Sequence, residues 1–277
     1  VNAALNGQSA IHLPTTRFAR LPGNQICKLE VTAKELLLPR RVPLADGLRI
    51  GHLSDLHFTG KYSVEHYQFL IDRFLELRPE LVLLTGDIID YAEYLTWLEP
   101  ILGRVEAPLG KYFVLGNHDL RLATIEPLLE AMDAIGYVDL GNADRQLELP
   151  SGLRIALSGN ELPWFERHQP PVPVPSPPCV PSADELRIGV SHTPDQIRWA
   201  RARELDLLFT GHTHGGQFRP PGVGPILSPS VHGSKFASGV FYLPPTLMHV
   251  SRGASGTHPF RWWCPPEISL LTLRSES

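Results

Sequence analysis

The chain has 277 residues, of which 43% are hydrophobic, and its 25 Lys and Arg residues against 29 Asp and Glu give a formal net charge of -4. This composition is typical of a globular protein with a substantial core, and it excludes a disordered chain. The net charge gives no basis for dedicated nucleic-acid binding. The three cysteines, Cys27, Cys179 and Cys264, are too widely spaced for a disulfide framework or a cysteine zinc site.

No apolar run reaches the length of a membrane span, so we expect a soluble domain, in the cytoplasm or peripherally associated with a membrane. The chain begins with Val1, not Met, and export of a precursor that has lost its signal therefore stays open.

The first half alternates strands and helices. We expect residues 1–25 to form an N-terminal arm, and the alternating pattern of residues 26–38 predicts an outer antiparallel strand. The elements that follow are a strand at 48–54, a helix at 63–77 with Ser63 as N-cap, a strand at 81–85, a helix at 93–98 that stops before Pro100, a strand at 111–115, and a helix at 124–135 with Gly136 at its C-cap. Asp55, Asp87 and Asn117 follow successive strands at intervals of about 30 residues, the length of one βαβ unit.

The second half is richer in strands. The predicted elements are short strands at 137–140, 145–149 and 153–158 that form a meander, a Pro-rich surface loop at 169–181, a strand at 186–191, a helix at 194–203, a strand at 205–210, and tail strands at 239–243, 246–250 and 268–273. The whole predicts one domain, residues 26–277, of two packed β-sheets with helices outside.

Polar side chains follow five of these strands. They are Asp55, His57, Asp87, Asn117, His192, His212 and His214. Ligands in open α/β sheets collect beyond the carboxyl ends of the strands, and carboxylate, amide and imidazole donors without thiolate suit Mn, Fe, Zn or Mg. Seven ligands are too many for one ion, but they suffice for two ions about 3.5–4 Å apart if one carboxylate bridges them. Asp87, on a central strand, is the natural bridge.

Each of these motifs has an ordinary structural explanation when it is taken alone. Asp55-Leu56-His57 could be a turn or a cap, and His192 could be a buried histidine with satisfied hydrogen bonds. Gly211-His212-Thr213-His214 followed by two glycines is more specific, because glycines let a backbone approach a ligand closely. The combination at strand ends favours a metal site.

The ordered motifs Asp55-x-His57, Gly86-Asp87, Gly116-Asn117-His118-Asp119, His192 and Gly211-His212-x-His214 closely resemble the signature of calcineurin-like metallophosphoesterases. The surrounding sequence, from about residue 26 to the end, resembles the YaeI/YkuE-type phosphodiesterase branch. It includes Ser191-His192-Thr193-Pro194-Asp195, Ser251-Arg252-Gly253 and Pro265-Pro266-Glu267-Ile268.

The resemblance implies an α/β fold, a four-layer αββα sandwich with two mixed β-sheets and a metal site at the C-terminal ends of strands. It also implies two divalent metal ions, with Mn expected and Fe, Zn or Mg as alternatives. Asp55, His57 and His214 would hold one ion, Asn117, His192 and His212 the other, and Asp87 would bridge. The remaining catalytic assignments are His118, as general acid or as donor to a phosphoryl oxygen, and Asp119, as the group that orients His118.

The function implied is hydrolysis of phosphodiester or pyrophosphate bonds, on a small-molecule or lipid-linked substrate such as the sugar nucleotide UDP-2,3-diacylglucosamine. A phosphomonoesterase or protein phosphatase, and a non-catalytic metal-binding scaffold, are the alternatives. Asn160 and Glu161 are interpreted as loop structure, with substrate contacts as the alternative. Phe260, Trp262 and Trp263 are expected to pack between the sheets, with a lipid-facing patch as the other interpretation.

Overall fold

The computed structural model describes residues 21–167 and 181–276. The N-terminal arm up to residue 20 and all of the predicted Pro-rich loop except Pro181 lie outside the described residues. The strands are β1 (Glu30–Leu37), β2 (Arg49–Leu53), β3 (Leu81–Thr85), β4 (Lys111–Val114), β5 (Tyr137–Asp139), β6 (Asp144–Glu148), β7 (Arg154–Asn160), β8 (Glu185–Ser191), β9 (Leu207–Thr210), β10 (Gly239–Leu243), β11 (Thr246–Val250) and β12 (Glu267–Arg274). The α-helices are α1 (Val64–Leu75), α2 (Leu98–Leu102), α3 (Glu126–Ala134) and α4 (Ile197–Ala202).

These strands form two sheets of six strands each. The first has the order β1-β12-β2-β3-β4-β5, and the second has the order β10-β11-β9-β8-β7-β6. In the first sheet β2 to β5 are mutually parallel, while β12 runs antiparallel to β2. In the second sheet β7, β8, β9 and β11 are parallel, and β6 and β10 are antiparallel to their neighbours. The prediction of two mixed sheets is confirmed.

Three apolar cores separate four layers. One lies between the first sheet and helices α1 to α3 and includes Leu70, Phe74 and Ile101. A second lies between the sheets, where Leu83 and Ile188 are fully buried, and a third packs α4 on the second sheet. The strands that face both cores, such as β3, are buried along their whole length, which is why they read as continuous aliphatic runs. The chain is therefore an αββα sandwich.

Two predictions about strand pairing are wrong. β1 is an outer strand, but it pairs parallel to β12, with Val31 opposite Ile268. The alternation of its side chains identifies a strand without fixing the direction of its neighbour, which comes from the far end of the chain. The predicted meander is also incorrect, because β5 joins the first sheet after the crossover helix α3, and only β6 and β7 form an antiparallel pair.

The helix boundaries agree with the sequence in part. The Ser63 side chain accepts a hydrogen bond from the backbone N–H of His66, which confirms the N-cap of α1. The prediction that a helix stops before Pro100 is wrong, because a 3₁₀ turn at 92–97 leads into α2, which contains Pro100. Pro100 lies in the first turn of α2, where a missing N–H removes no hydrogen bond within the helix.

In the described part of the chain, the longest α-helix has 12 residues, and none has the length and apolarity required to cross a membrane.

The C-terminal aromatic residues differ from their expected placement. Phe260 and Trp262 are half-buried and Trp263 is 51% exposed, and none of them belongs to the core between the sheets. They pack on each other and on Phe218, with ring centroids 5.1 Å apart for Phe260 and Trp262 and 5.7 Å apart for Phe218 and Trp262.

Candidate metal centre

The seven side chains that follow strand ends converge in space. Asp55 and His57 come after β2, Asp87 after β3 and Asn117 after β4, all in the first sheet. The other three come after strands of the second sheet and are His192, after β8, and His212 and His214, after β9. Both sheets present the carboxyl ends of their parallel strands at the same rim, and their loops meet there.

One group comprises Asp55, His57, Asp87 and His214, whose ligand-type atoms all lie within 4.8 Å of one another. The Nε2 of His57 is 3.4 Å from Asp87 Oδ2 and 3.3 Å from the Nε2 of His214. The Nε2 of His214 is 3.5 Å from Asp55 Oδ1. All four side chains are buried.

The second group comprises Asp87, His192 and His212. The Nε2 of His192 lies 3.3 Å from Asp87 Oδ2, 3.1 Å from His212 Nδ1 and 3.1 Å from Asn117 Oδ1. Asp87 therefore belongs to both groups, and one of its oxygens contacts a histidine of each.

The backbone at this rim is unusual. Asp55, His57, Asp87, His212 and His214 all have positive φ, between 47° and 69°. Residues other than glycine rarely adopt this left-handed backbone conformation, because it is strained for them. Strained residues of this kind are concentrated at functional sites.

At two positions near this rim, a close approach between backbone segments leaves no room for a side chain and so requires glycine. A Cβ on Gly86, whose φ is +85°, would lie 2.6 Å from the backbone N of Gly116, and one on Gly253, whose φ is +73°, would lie 2.7 Å from the Cβ of Asp55. These positions bring neighbouring loops together around the carboxylates.

The negative charge of the buried carboxylates in this cluster favours the binding of a cation. Burial and the nearby Asp87 charge raise the pKa of Asp55, although His192 acts in the opposite direction. Burial disfavours ionised Asp87 as well, but His192 and His57 hold the pKa of Asp87 well below its usual range. Burial alone would lower the pKa of His192, and the Asp87 carboxylate raises it to about 9. Against the effect of burial, the Asp87 carboxylate also raises the pKa of His57, whereas burial lowers the pKa of His212 and of His214. Positive charge on His57 and His192 therefore offsets the buried carboxylates, and divalent cations would supply the same charge.

The tautomers of His57 and His192 suit metal ligands. His57 Nδ1 lies 2.9 Å from Asp90 Oδ2, and His192 Nδ1 lies 2.7 Å from the carbonyl oxygen of Thr85. If each Nδ1–H donates to its oxygen, each Nε2 is left with a lone pair that faces the cluster, which is the usual arrangement around bound metals.

His214 has a different neighbour. The Nη2 of the fully buried Arg261 lies 3.0 Å from His214 Nδ1, and Arg261 also donates to the carbonyl oxygens of His214, Arg252 and Ser255. A guanidinium group only donates. Ligation through the Nε2 of His214 therefore requires Nδ1 to carry the proton. Arg261 would then donate only to its carbonyl partners and no longer to His214 Nδ1.

His118 lies at the more open side of the cluster, with a side chain that is 15% exposed. Its Nδ1 is 2.6 Å from Asp90 Oδ1, and its ring packs edge-on against His57 with centroids 4.6 Å apart. The Asp90 carboxylate also accepts a hydrogen bond from Arg121. Burial would raise the pKa of Asp90, but the hydrogen bonds from His118 and His57 lower it to about 2.

Asp119 links two loops of the centre through hydrogen bonds to their backbones. Its carboxylate accepts hydrogen bonds from the backbone N–H groups of Asp87, Ile88, Ile89 and Gly116. It thereby joins the loop after β3 to the loop after β4, while Asp90, not Asp119, makes the side-chain contact with His118.

Sequence analysis did not identify Asp90, Arg261 or Trp164 as parts of the centre. The Trp164 ring lies 5.3 Å from His192 and 4.9 Å from His212, measured between ring centroids. Asp90 could have been noticed as the second carboxylate of Gly86-Asp87-Ile88-Ile89-Asp90. Nothing in the local sequence marks Arg261 or Trp164.

Asn160 and Glu161 lie beside the centre. Asn160 is the last residue of β7, and the carboxylate of Glu161 accepts hydrogen bonds from the backbone N–H of Leu115 and from Arg167. Glu161 thus fastens the end of β4 to the loop after β7.

A chain of hydrogen bonds, which we name the Lys34–Asp55 chain, leads from the half-buried Lys34 at the sheet edge to the centre. Its members, in order, are Lys34, His249, His52, Thr85, Ser54 and Asp55. The successive distances are 3.1, 2.9, 2.9, 2.7 and 2.5 Å. Because an ammonium group only donates and a carboxylate only accepts, every bond in the chain runs in one direction, with the proton of His249 on Nδ1 and that of His52 on Nε2.

A model of the calcineurin-like phosphoesterase family matches residues 48–216 of the chain. The chain is 30% identical to the uncharacterized metallophosphoesterase YkuE of Bacillus subtilis, over 93% of this chain and 89% of that protein. It is 27% identical to the phosphodiesterase YaeI of Escherichia coli, over 81% and 82% of the two chains. It is also 25% identical to the UDP-2,3-diacylglucosamine pyrophosphatase LpxG of Chlamydia muridarum, over 88% of each.

Proposed function

The chain belongs to the calcineurin-like phosphoesterase family, and from this premise we propose that it is a hydrolase of phosphodiester or pyrophosphate bonds that uses two divalent metal ions. Asp55, His57 and His214 would hold one ion, Asn117, His192 and His212 would hold the other, and Asp87 would bridge them.

The observation that carries the proposal is the position of Asp87. Its Oδ2 lies 3.4 Å from the Nε2 of His57 and 3.3 Å from the Nε2 of His192, so that one carboxylate is shared by both ligand groups. Imidazole, carboxylate and amide donors without thiolate favour Mn, Fe, Zn or Mg, and we propose Mn as the ion to test first.

Bound divalent ions would supply Lewis acidity, lowering the pKa of a shared water and neutralising the phosphoryl oxygens. The residues around them have separate tasks. Asp90 accepts the hydrogen bond of His118 Nδ1 and fixes that ring, so that the proton exchanged with the substrate is the one on Nε2. From there His118 would protonate the leaving oxygen or donate to a phosphoryl oxygen. Asp119 would hold the loops that carry Asp87 and Asn117 at their spacing.

The substrate class we propose is a lipid-linked phosphodiester or a sugar-nucleotide diphosphate. The similarity to YaeI, a phosphodiesterase, and to LpxG, a UDP-2,3-diacylglucosamine pyrophosphatase, supports this choice.

Metal analysis combined with two chromogenic substrates tests the proposal. We expect about two metal ions per chain after loading with Mn²⁺, and faster hydrolysis of bis(p-nitrophenyl) phosphate than of p-nitrophenyl phosphate. A preference for the monoester would instead favour a phosphomonoesterase. Metal binding without hydrolysis of either compound would favour a non-catalytic scaffold.

A further inference from the structure

A mostly apolar cleft of about 520 Å³ opens beside the metal centre. Its walls include His214, Phe218, Ile226, Leu227, Pro229 and Phe260. This volume falls within the range of about 300–1,000 Å³ that is typical of small-molecule sites. Among the described residues that line the cleft, none is Asp, Glu, Lys or Arg, so this part of the wall offers no counter-ion to a phosphate.

Apolar side chains are exposed along the segment that forms one wall. Ile226 is 50% exposed and Leu227 is 77% exposed, and both line the cleft. Single exposed apolar residues are common on protein surfaces, but a contiguous apolar surface at a functional site usually contacts a ligand. The half-exposed aromatic residues around Phe260 extend this surface.

The cleft adjoins the metal centre at one residue, His214. His214 lines the cleft and also belongs to the first ligand group. Phe260 precedes Arg261, whose guanidinium group contacts His214 Nδ1. The shared residue places the cleft where an apolar substituent of a phosphoester bound at the centre would lie.

We propose that this cleft binds an alkyl or acyl chain of the substrate, which would make the preferred substrates amphiphilic phosphoesters. The inference rests on the proposed function, because it assumes that the phosphoryl group reacts at the adjacent centre. A chain bound between Phe218, Leu227 and Phe260 would gain transfer free energy from water and would contact no buried charge.

Two soluble substrates that differ only in chain length provide the test. We would compare kcat/KM of the Mn²⁺-loaded protein for p-nitrophenyl ethyl phosphate and p-nitrophenyl octyl phosphate, the latter below its critical micelle concentration. Each fully buried methylene corresponds to a gain of about fourfold. With partial burial of the chain, we expect an octyl-to-ethyl ratio of about tenfold or more.

Substitutions in the wall should lower that ratio. We expect Ile226→Gln and Leu227→Gln each to reduce the octyl-to-ethyl ratio by about threefold or more, because a polar side chain removes apolar contact. Val223→Gln is the matched control, since Val223 lies on the same segment and is 71% exposed but does not line the cleft. It should leave both rates at the wild-type values.

Three results would overturn the inference. The first is an octyl-to-ethyl ratio near one in the wild type, and the second is a ratio that Ile226→Gln and Leu227→Gln leave unchanged. The third comes from an octyl substrate embedded in phosphatidylcholine vesicles: an effect of Val223→Gln as large as that of Leu227→Gln would indicate a surface that contacts the bilayer. Failure of the proposed function would look different, because the wild type would then hydrolyse neither diester.

Discussion

The carboxylate of Asp90 lies 2.6 Å from the Nδ1 of His118, and its other oxygen lies 2.9 Å from the Nδ1 of His57. One buried side chain therefore orients both a candidate metal ligand and the candidate proton donor. Two consequences can be separated by experiment, since one concerns metal affinity and the other concerns the chemical step.

Asp90→Asn removes the charge from both contacts. We expect metal affinity to fall by about 10–100-fold, because partners of metal-ligating histidines have effects of this size, and kcat at saturating metal to fall by a similar factor. Metal titration and steady-state kinetics measure the two effects. Asp72→Asn, at an exposed ion pair with Arg104, is the control. A normal kcat at saturating metal would remove Asp90 from the catalytic arrangement.

His118→Gln should affect the reaction without affecting the metals. We expect kcat to fall by about 10²–10⁴-fold, the usual contribution of a general acid, while the metal content stays at the wild-type level. The loss should be greater for a phenyl diester than for a p-nitrophenyl diester, because the poorer leaving group depends more on protonation. An equal loss for both would assign His118 to the phosphoryl oxygen. His258→Gln, at an exposed histidine, is the control.

Asp87→Asn tests the bridging carboxylate. Asparagine keeps the shape of the side chain but loses the charge that both ligand groups share, so we expect loss of metal binding and of hydrolysis together. Elemental analysis and the bis(p-nitrophenyl) phosphate assay measure these losses. Asp133→Asn, on the exposed side of α3, should have no effect. An active, fully metallated Asp87→Asn protein would contradict the shared-ligand assignment.

Stability should fall in mild acid because of His52. Burial lowers the pKa of His52 to about 3, with the Glu267 charge acting to raise it and Lys34 to lower it. The unfolded chain takes up this proton below a pKa of about 6.5, whereas the folded chain does not, so the free energy of unfolding decreases as pH falls from about 6.5 towards 3.

The contribution of His52 approaches about 1.4 kcal/mol per pH unit well below pH 6.5, and it amounts to about 1–2 kcal/mol between pH 6.5 and pH 5. Urea unfolding of the metal-free protein at these pH values should show a shallower pH dependence for His52→Gln than for the wild type. If His52→Gln and the wild type respond identically to pH, His52 is not a neutral buried histidine.

The sequence predicts the central strands and their polar ends well. Continuous aliphatic runs such as that of β3 have few alternatives to a buried strand, and spacings near 30 residues leave room for one crossover helix. The rim that carries Asp55, Asp87 and Asn117 follows from these two facts. The direction of β1 does not, because its partner β12 lies more than 200 residues away and the pattern of one strand does not specify the neighbour.

The surroundings of the metal centre are less predictable. Asp90 and Arg261 act through contacts with His118 and His214 that only the folded chain creates. The C-terminal aromatic residues show a second limit of prediction from sequence. Trp263 is apolar, but this does not determine its burial, and the residue is 51% exposed. Composition identifies side chains that can enter a core, whereas the topology decides which of them do so.

The one-way order of the Lys34–Asp55 chain connects the outermost strand, β1, to the candidate metal ligand Asp55. The match to the family model begins at residue 48, so a fragment cut to that match would retain Asp55 but lose Lys34, along with His249 beyond its other end. His52 would then have no imidazole to set its tautomer, and the hydroxyl groups of Thr85 and Ser54 could reverse their polarity. A fragment that preserves this chain must therefore include β1 and β11, although neither strand carries a candidate metal ligand.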